Sequence, residues 1–263
     1  MPIRRTLLLA GLLSAAALPA AAQASWPSKP IRIVVPYGPG SSPDVLVRLI
    51  SDKLGKSLGQ TVIVENRAGA GGNTGTDYVA KAAPDGYTFL VSTNGPLVYS
   101  TVFNPKLPYD PFKDLAPVTL AGVQPNVCAV SNDLKVDDVK GWVAAMKKEP
   151  GKYNYSSTGV GSMSHLSVEI VKLKSDSYAV HLPYASSPLA VLAIMAPAKT
   201  PPDIINRMSK EISAILAEPE TQQKLAVAYM ESVGSTPEEL AKWMLEERNR
   251  WAPVIKHVGL TAN

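Results

Sequence analysis

Cysteine is almost missing from this 263-residue chain. Cys128 stands alone, so no disulfide can close within the chain and no cysteine-built zinc site can be assembled. Three histidines, His165, His181 and His257, leave little room for a metal centre. Charge of one sign is scarce too. Lys and Arg number 26 against 22 Asp and Glu, a formal +4, and no Lys/Arg run exceeds two residues, so no basic stripe exists for nucleic acid. Only 18% of residues are charged and 6% aromatic, yet 46% are hydrophobic. That content supports a real core and excludes intrinsic disorder, collagen-like repetition and a multi-span membrane protein.

One apolar run stands out. Arg4 and Arg5 precede a Leu/Ala-rich stretch from Thr6 to Leu18, followed by Ala22-Gln23-Ala24. The stretch is too short to span a bilayer as a helix and has no polar face for an amphipathic core helix. With its charged start and small-x-small end it reads as a secretory signal peptide cleaved after Ala24. Cleavage would leave 239 residues and a formal charge of +2, since the leader carries two arginines and no acid. Cys128 is too far from that site to be a lipidated first residue. The expectation is a soluble exported protein in a bacterial periplasm.

The remainder alternates short β-branched runs with helical patterns. Lys29–Pro36, Thr61–Glu65 and Tyr87–Ser92 read as strands. Val45–Leu58, with apolar residues at 45, 46, 49, 50, 54 and 58, has helical spacing. A Gly-rich loop from Ala68 to Gly75 leads into a second helix through Ala83. Strand–helix–strand–helix–strand at these lengths predicts right-handed crossovers and a parallel sheet. Asn104–Pro117 reads as a Pro-rich connection. A second unit follows, with strands at Val127–Ser131, Tyr153–Ser157 and Tyr178–Leu182 and helices at Val136–Lys148 and about 162–172. In the carboxyl third, Thr200 with Pro201 predicts a helix start, and Ile204, Ile205, Met208, Ile212, Ile215 and Leu216 its apolar stripe. Thr236 with Glu239 spells a capping box.

Two loops, Tyr37–Asp44 and Ser156–His165, each join the carboxyl end of a strand to the start of a helix. Such places gather free backbone N–H groups and the positive end of the helix dipole, which suits an anion. Gly38, Gly40, Gly159 and Gly161 allow close backbone approach, and Ser41, Ser42, Ser156, Thr158, Ser162 and Ser164 add neutral donors. The alternative is a pair of ordinary Gly/Ser turns. Asp44 reads first as a cap for the helix after it, and second as a ligand contact. His165 reads as a hydrogen bonder at a helix start. His181 and His257 have no acidic or cysteine partner nearby in sequence and read as structural.

Competing chemistry fails. Gly38-Pro-Gly40-Ser-Ser-Pro43 has proline in place of the third glycine of a dinucleotide fingerprint. There is no Walker A pattern and no Gly-x-Ser-x-Gly elbow. Ser164 and His165 are helix neighbours that face different ways, a poor nucleophile–base pair. No catalytic set, cofactor or metal is expected.

Pro30-Ile-Arg-Ile-Val-Val-Pro-Tyr-Gly-Pro-Gly-Ser-Ser-Pro-Asp44, Val64-Glu-Asn-Arg-Ala-Gly-Ala-Gly-Gly-Asn73, Ala83-Pro-Asp-Gly-Tyr87, Leu107-Pro-Tyr-Asp-Pro111, Asn154–His165, His181-Leu-Pro-Tyr184 and Gly234-Ser-Thr-Pro-Glu-Glu239 together resemble the Bug family. These are extracytoplasmic receptors of tripartite tricarboxylate transporters. The resemblance covers nearly the whole chain after the leader. It implies an α/β, two-domain periplasmic-binding-protein fold (a flytrap, type II-like) closing on a small carboxylate, with a membrane permease as partner, as a monomer. Its substrate-binding candidates are Tyr37, Gly38, Gly40, Ser41, Ser42, Asp44, Thr93, Asn94, Ser156, Thr158, Gly159, Ser162 and His165. One departure is large. After Tyr184 the chain passes almost directly to a return strand within Leu189–Pro201, and roughly 60 residues, a substantial part of an ordinary domain, are missing. The expected layout is therefore leader 1–24, first α/β domain 25–122, shortened second domain 123–188, and return strand with C-terminal helices 189–263. Two other functions remain open: a ligand sensor for a membrane histidine kinase, and a degenerate paralogue that no longer binds ligand.

Overall fold

The computed structural model describes residues 26–125, 127–157, 160–183 and 191–259. The expected leader, Thr158, Gly159 and the joint after Pro183 lie outside them.

The β-branched run Ile31–Val35 forms β1. Then come α1 (Ser42–Leu58), β2 (Val62–Asn66), α2 (Asn73–Ala80) and β3 (Thr88–Ser92), close to where the hydrophobic pattern predicts them. β1 pairs in parallel with both neighbours, Ile33 lying opposite Val64 on one side and Phe89 on the other. Because β2 and β3 flank β1 on opposite sides, right-handed crossovers send α1 and α2 to opposite faces of the sheet. Burial follows: Ile31, Ile33 and Val35 share a core with α1, while Val34 joins Val79 of α2.

Two features beyond β3 escaped the sequence pattern. A π turn, Gly95–Tyr99, runs on into the short α3 (Ser100–Phe103). β4 (Leu115–Val123) begins inside the segment expected to be a Pro-rich connection. Pro117 disguises the strand, and the sheet accommodates it at a register shift between Pro117 and Thr119, the kind of irregularity where a strand tolerates proline.

The chain then leaves the large sheet. α4 (Val139–Lys148), β5 (Asn154–Ser157), α5 (Met163–Ser175) and β6 (Val180–Pro183) build a small lobe around two parallel strands. Val127–Ser131, expected as a third strand, is not one. No strand flanks β5–β6 among the described residues, so this segment has no ladder to join; Val127 is 79% exposed and its backbone stays with solvent. Among the described residues, the lobe's own hydrophobic cluster buries Trp142, Met146 and Ala179, while Leu166 of α5 joins the core of the large sheet.

β7 (Leu192–Pro197) returns to the large sheet as expected. It inserts antiparallel between β3 and β4 with all six residues buried. Next come α6 (Pro202–Leu216), α7 (Pro219–Val227), β8 (Glu231–Ser232) and α8 (Pro237–His257), and the sheet order is β2-β1-β3-β7-β4-β8. α6 starts later than predicted. Pro201 takes the N-cap position, and the Thr200 hydroxyl donates to the Pro197 carbonyl (2.7 Å) instead of capping. The capping box of α8 forms: the Glu239 N–H donates to Thr236 Oγ1 (3.1 Å), and the Thr236 N–H to the Glu239 carboxylate (2.9 Å).

Candidate functional site

The two lobes meet around a cavity of about 30 Å³, room for a water or two. Its lining has a common origin. Asn73 is the first residue of α2, Gly95 opens the π turn before α3, and Met163 is the first residue of α5; all three line the cavity. Three helix starts therefore converge on one small space, each bringing a positive dipole end, although the Asn73 and Thr74 N–H groups already donate to the Ala70 and Gly69 carbonyls. No Lys, Arg, His, Asp or Glu lines the cavity.

The first-lobe wall is held by neutral hydrogen bonds. Tyr37 Oη and Thr93 Oγ1 lie 2.7 Å apart, both buried. Gly72, at φ 98°, leaves room for that pair: a Cβ there would sit 2.6 Å from Tyr37 Oη and 2.8 Å from Pro96 Cγ. The Tyr109 hydroxyl donates to Asn73 Oδ1 (2.8 Å), which leaves the amide NH₂ of Asn73 as the end that can meet a ligand. Asn94 gives its amide N–H to Tyr99 Oη, while its carbonyl oxygen is buried without a hydrogen-bond partner. Burial drives the Tyr37, Tyr99 and Tyr109 phenols far above the ordinary tyrosine value, so all three stay protonated. Donors here are amides and hydroxyls, not charges.

Of the Tyr37–Asp44 loop, only Tyr37 reaches the cavity. Gly38 and Gly40 are exposed, with open space where a Cβ would project. Ser41 is the N-cap of α1 but makes no side-chain cap bond, and its hydroxyl is buried without a partner; Ser42 is the first helical residue. Asp44 neither caps α1 nor touches the cavity. Its carboxylate lies inside the first turn and staples the loop, accepting from Gly40 N–H (2.8 Å), Arg48 Nε (3.0 Å) and Asn66 Nδ2 (2.9 Å). Burial pushes its pKa up, but these hydrogen bonds outweigh burial and hold it below the usual carboxylate value. The residues that replace the loop at the cavity are Ala70, Gly71 and Asn73. Their signal in the sequence was the Gly-rich run before a helix, the same signal that marked the other two loops.

The second loop behaves differently. Val160, Gly161, Ser162 and Met163 line the cavity. Ser162 is the N-cap of α5, its Oγ accepting from the His165 N–H (3.3 Å). His165 stands at the helix start as expected, and its Nδ1 accepts from the Gly161 N–H (3.0 Å). Ser156 is exposed and faces a separate open groove of about 760 Å³ beside Val127–Ser131. Thr158 and Gly159 lie outside the described residues. His181, read as lacking an acidic neighbour, stacks on His165 with ring centroids 3.8 Å apart and 8° between planes. Glu169 influences both rings. Sequence distance concealed the pair, since β6 brings His181 back beside α5.

The chain matches the tripartite tricarboxylate transporter family receptor over residues 46–194 and 185–260. The two matched segments meet at 185–194, where the sequence pattern places the gap. BugT of Bordetella pertussis (strain Tohama I) is 30% identical over 296 aligned positions, covering 89% of this chain and 91% of that protein. About 234 residues of this chain are thus spread over 296 positions, and about 62 positions face no residue here. A solved periplasmic transporter protein, 30% identical, superposes with a TM-score of 0.82 over 90% of this chain and 99% of that one. An R. palustris protein solved with adipate, 26% identical, gives 0.82 over 90% and 99%. The fold is that of a two-domain periplasmic binding protein with a shortened second domain.

Proposed function

Since this chain belongs to the tripartite tricarboxylate transporter receptor family, we propose that it is a periplasmic receptor that closes on a small carboxylate and presents it to a membrane permease, without chemistry. One observation carries the reading: three helix starts converge on a cavity lined by amides and hydroxyls and by no charged side chain. Each helix start favours an anion by about 0.3–1 kcal/mol when exposed and up to about 2 when partly buried. Neutral donors hold a carboxylate without a salt bridge, which keeps release fast. The Ser162–His165 contact runs to a backbone N–H, not to the imidazole, so it activates no nucleophile.

The carboxylate bound by the R. palustris relative supports the ligand class. A cavity of about 30 Å³ is too small for a dicarboxylate, so the lobes part to admit one. They pivot where the chain crosses twice, at the paired ends of β4 and β7, with Gly122 opposite Leu192. Export by cleavage after Ala24 belongs to the same reading.

The test is thermal shift and calorimetry of the protein from Ser25 onward against adipate, succinate, malate, citrate and neutral analogues. A ligand at a hundred times its Kd stabilises the native state by about 2.7 kcal/mol. Stabilisation by carboxylates and not by the matching amides is expected. If no carboxylate shifts the transition, the shortened lobe has lost receptor function.

A further inference from the structure

The second lobe contains a cluster of titratable groups that ligand contact does not explain. His165 on α5 and His181 on β6 lie face to face, 3.8 Å between centroids, and Tyr155 of β5 stacks on His181 at 4.9 Å. Glu169 and Lys172, one turn and two turns along α5 from His165, complete the surroundings. Glu169 Oε1 lies 3.9 Å from His165 Nε2, takes an ion pair from Lys172 Nζ at 2.6 Å and accepts from the Tyr155 hydroxyl. The ring of His181 meets Ser157 Oγ through Nε2. His165 is almost wholly buried.

The hydrogen bond at the other nitrogen fixes the protonation state. The Gly161 N–H donates to His165 Nδ1 at 3.0 Å. Nδ1 can accept only while it carries no proton, so His165 is the neutral tautomer with its proton on Nε2, toward Glu169. Gly161 is also the point where the second loop presses on the first lobe. Its φ is +74°, and a Cβ there would fall 2.2 Å from Phe103 Cζ. One bond thus sets where Val160–Met163 stand at the cavity.

We propose that His165, backed by the stacked ring of His181, is the positioning residue of the second loop: neutral, it holds Gly161 in the ligand-ready place, and protonated, it releases it. A proton on Nδ1 would confront the Gly161 N–H donor to donor, and the bond would have to break. The loop would then swing from Phe103 and open the cleft. The charge balance favours the neutral state at ordinary pH. Burial, then the neighbouring His181, depress the His165 pKa, and Lys172 adds to them, while Glu169 alone opposes; the pKa falls to about 4. The His181 pKa is lowered as well, by burial first. Two rings in face contact cannot both carry charge without strong repulsion, so the first proton to enter weakens the stack. This rests on the receptor reading only for its ligand readout.

The experiment follows the Gly161 amide by ¹⁵N NMR and carboxylate affinity by calorimetry, both from pH 8 to pH 3.5, in the wild type, His165→Asn and His165→Leu. Asn places an acceptor oxygen near Nδ1 but does not titrate. Expected for the wild type is a Gly161 amide that shifts and loses exchange protection as His165 protonates, with affinity for the ionised form of the carboxylate falling about fourfold by pH 3.5. His165→Asn is expected to bind at neutral pH and lose this acid dependence. His165→Leu is expected to bind weakly at every pH. A Gly161 amide unmoved across the His165 titration overturns the proposal, as does an equal fall in affinity for the ionised carboxylate in His165→Asn. If the Gly161 amide titrates in the wild type but no carboxylate binds at any pH, the positioning role stands and the receptor reading falls.

Discussion

Adding one methyl group at Gly161 tests the closed cleft directly. Gly161→Ala meets two obstacles that come from different parts of the molecule. The backbone there has φ +74°, a left-handed conformation that costs an L-residue about 1–2 kcal/mol. The new Cβ would also lie 2.2 Å from Cζ and 2.3 Å from Cε1 of Phe103. Phe103 belongs to the first-lobe core beside Tyr99 and Leu166, so its ring has little room to retreat, and overpacking of this kind costs about 1–3 kcal/mol. The clash runs between lobes, not within one. Separation of the lobes relieves it, so the penalty falls on closure and therefore on ligand affinity. The clash alone, at about 2 kcal/mol within that range, should weaken binding about thirtyfold, while the backbone cost falls on the fold of the loop whether the cleft is open or closed. Calorimetry with a carboxylate ligand reads the loss, and the double variant Gly161→Ala/Phe103→Leu should recover the steric part. Unchanged affinity in Gly161→Ala would show that the second loop does not close against Phe103, and the reasoning would fail.

Ser162→Leu should abolish carboxylate binding and remove about 1 kcal/mol of helix capping, whereas Ser51→Leu, on α1 away from the cavity, should leave affinity within error; calorimetry compares them. Asp44→Ala should cost about 2 kcal/mol by unstapling Gly40, Arg48 and Asn66. Because the folded pKa of Asp44 is depressed, its contribution is present above the unfolded carboxylate value and is lost as pH falls through the folded one, which urea titrations between pH 6 and pH 2 would show. His165 acts in the same sense. Its folded pKa of about 4 lies below the ordinary histidine value of 6.5, so the unfolded chain binds the proton first and stability drops by about 3 kcal/mol between those pH values; a wild type no steeper than His165→Asn over that window would refute it. Amide exchange should protect Ile31–Val35 and Val62–Val64 better than the described residues of Tyr178–Leu182.

The first lobe was legible because its signals are local and periodic. Ile31–Val35 and Thr88–Ser92 are short apolar runs bounded by proline or glycine, and of the helical stripe read in α1 the structure buries Leu46, Ile50, Leu54 and Leu58, leaves Val45 and Leu49 half-buried, and adds Val47. β4 was hidden by Pro117, which argues against a strand until a neighbouring register shift absorbs it. Val127–Ser131 failed in the other direction. Its composition suits a strand, but a strand needs a partner edge, and composition carries no information about the partner. At the site, the feature that could be read was the class of loop, glycine-rich between a strand and a helix. Which loops close on one another could not be read. That depends on β3, β7 and β4 lying side by side, which brings Asn73, Thr93 and Ser162 to one place while leaving Gly38, Gly40 and Ser156 outside it.

The gap after Tyr184 falls on one lobe and not the other for a topological reason. β4 carries the chain out of the large sheet and β7 carries it back, and the two are antiparallel neighbours, Leu120 opposite Ala193 and Gly122 opposite Leu192. Residues removed between them lie wholly on the far side of that crossing, so the large sheet keeps every strand it needs. Its two faces remain covered, one by α1 and α6, the other by α2 and α8. The second lobe bears the whole loss. Among the described residues, the lobe's own hydrophobic cluster buries just Trp142, Met146 and Ala179, α5's buried Leu166 joins the core of the first lobe, and Leu173, Tyr178 and Leu182 are each more than a third exposed. A sheet of two strands is marginal by itself. The second loop is therefore anchored on a weak lobe, and contacts that cross to the first lobe, Gly161 on Phe103 and Leu166 in the core beside it, carry more of its position than they would on a full one. Closure and folding of this lobe become coupled: a ligand that draws the lobes together also supplies part of the core that the lobe lacks. Ligand binding should then raise amide protection in β5 and β6 more than in β1–β3. A uniform rise, or none in β5 and β6, would show that the small lobe is stable without the large one.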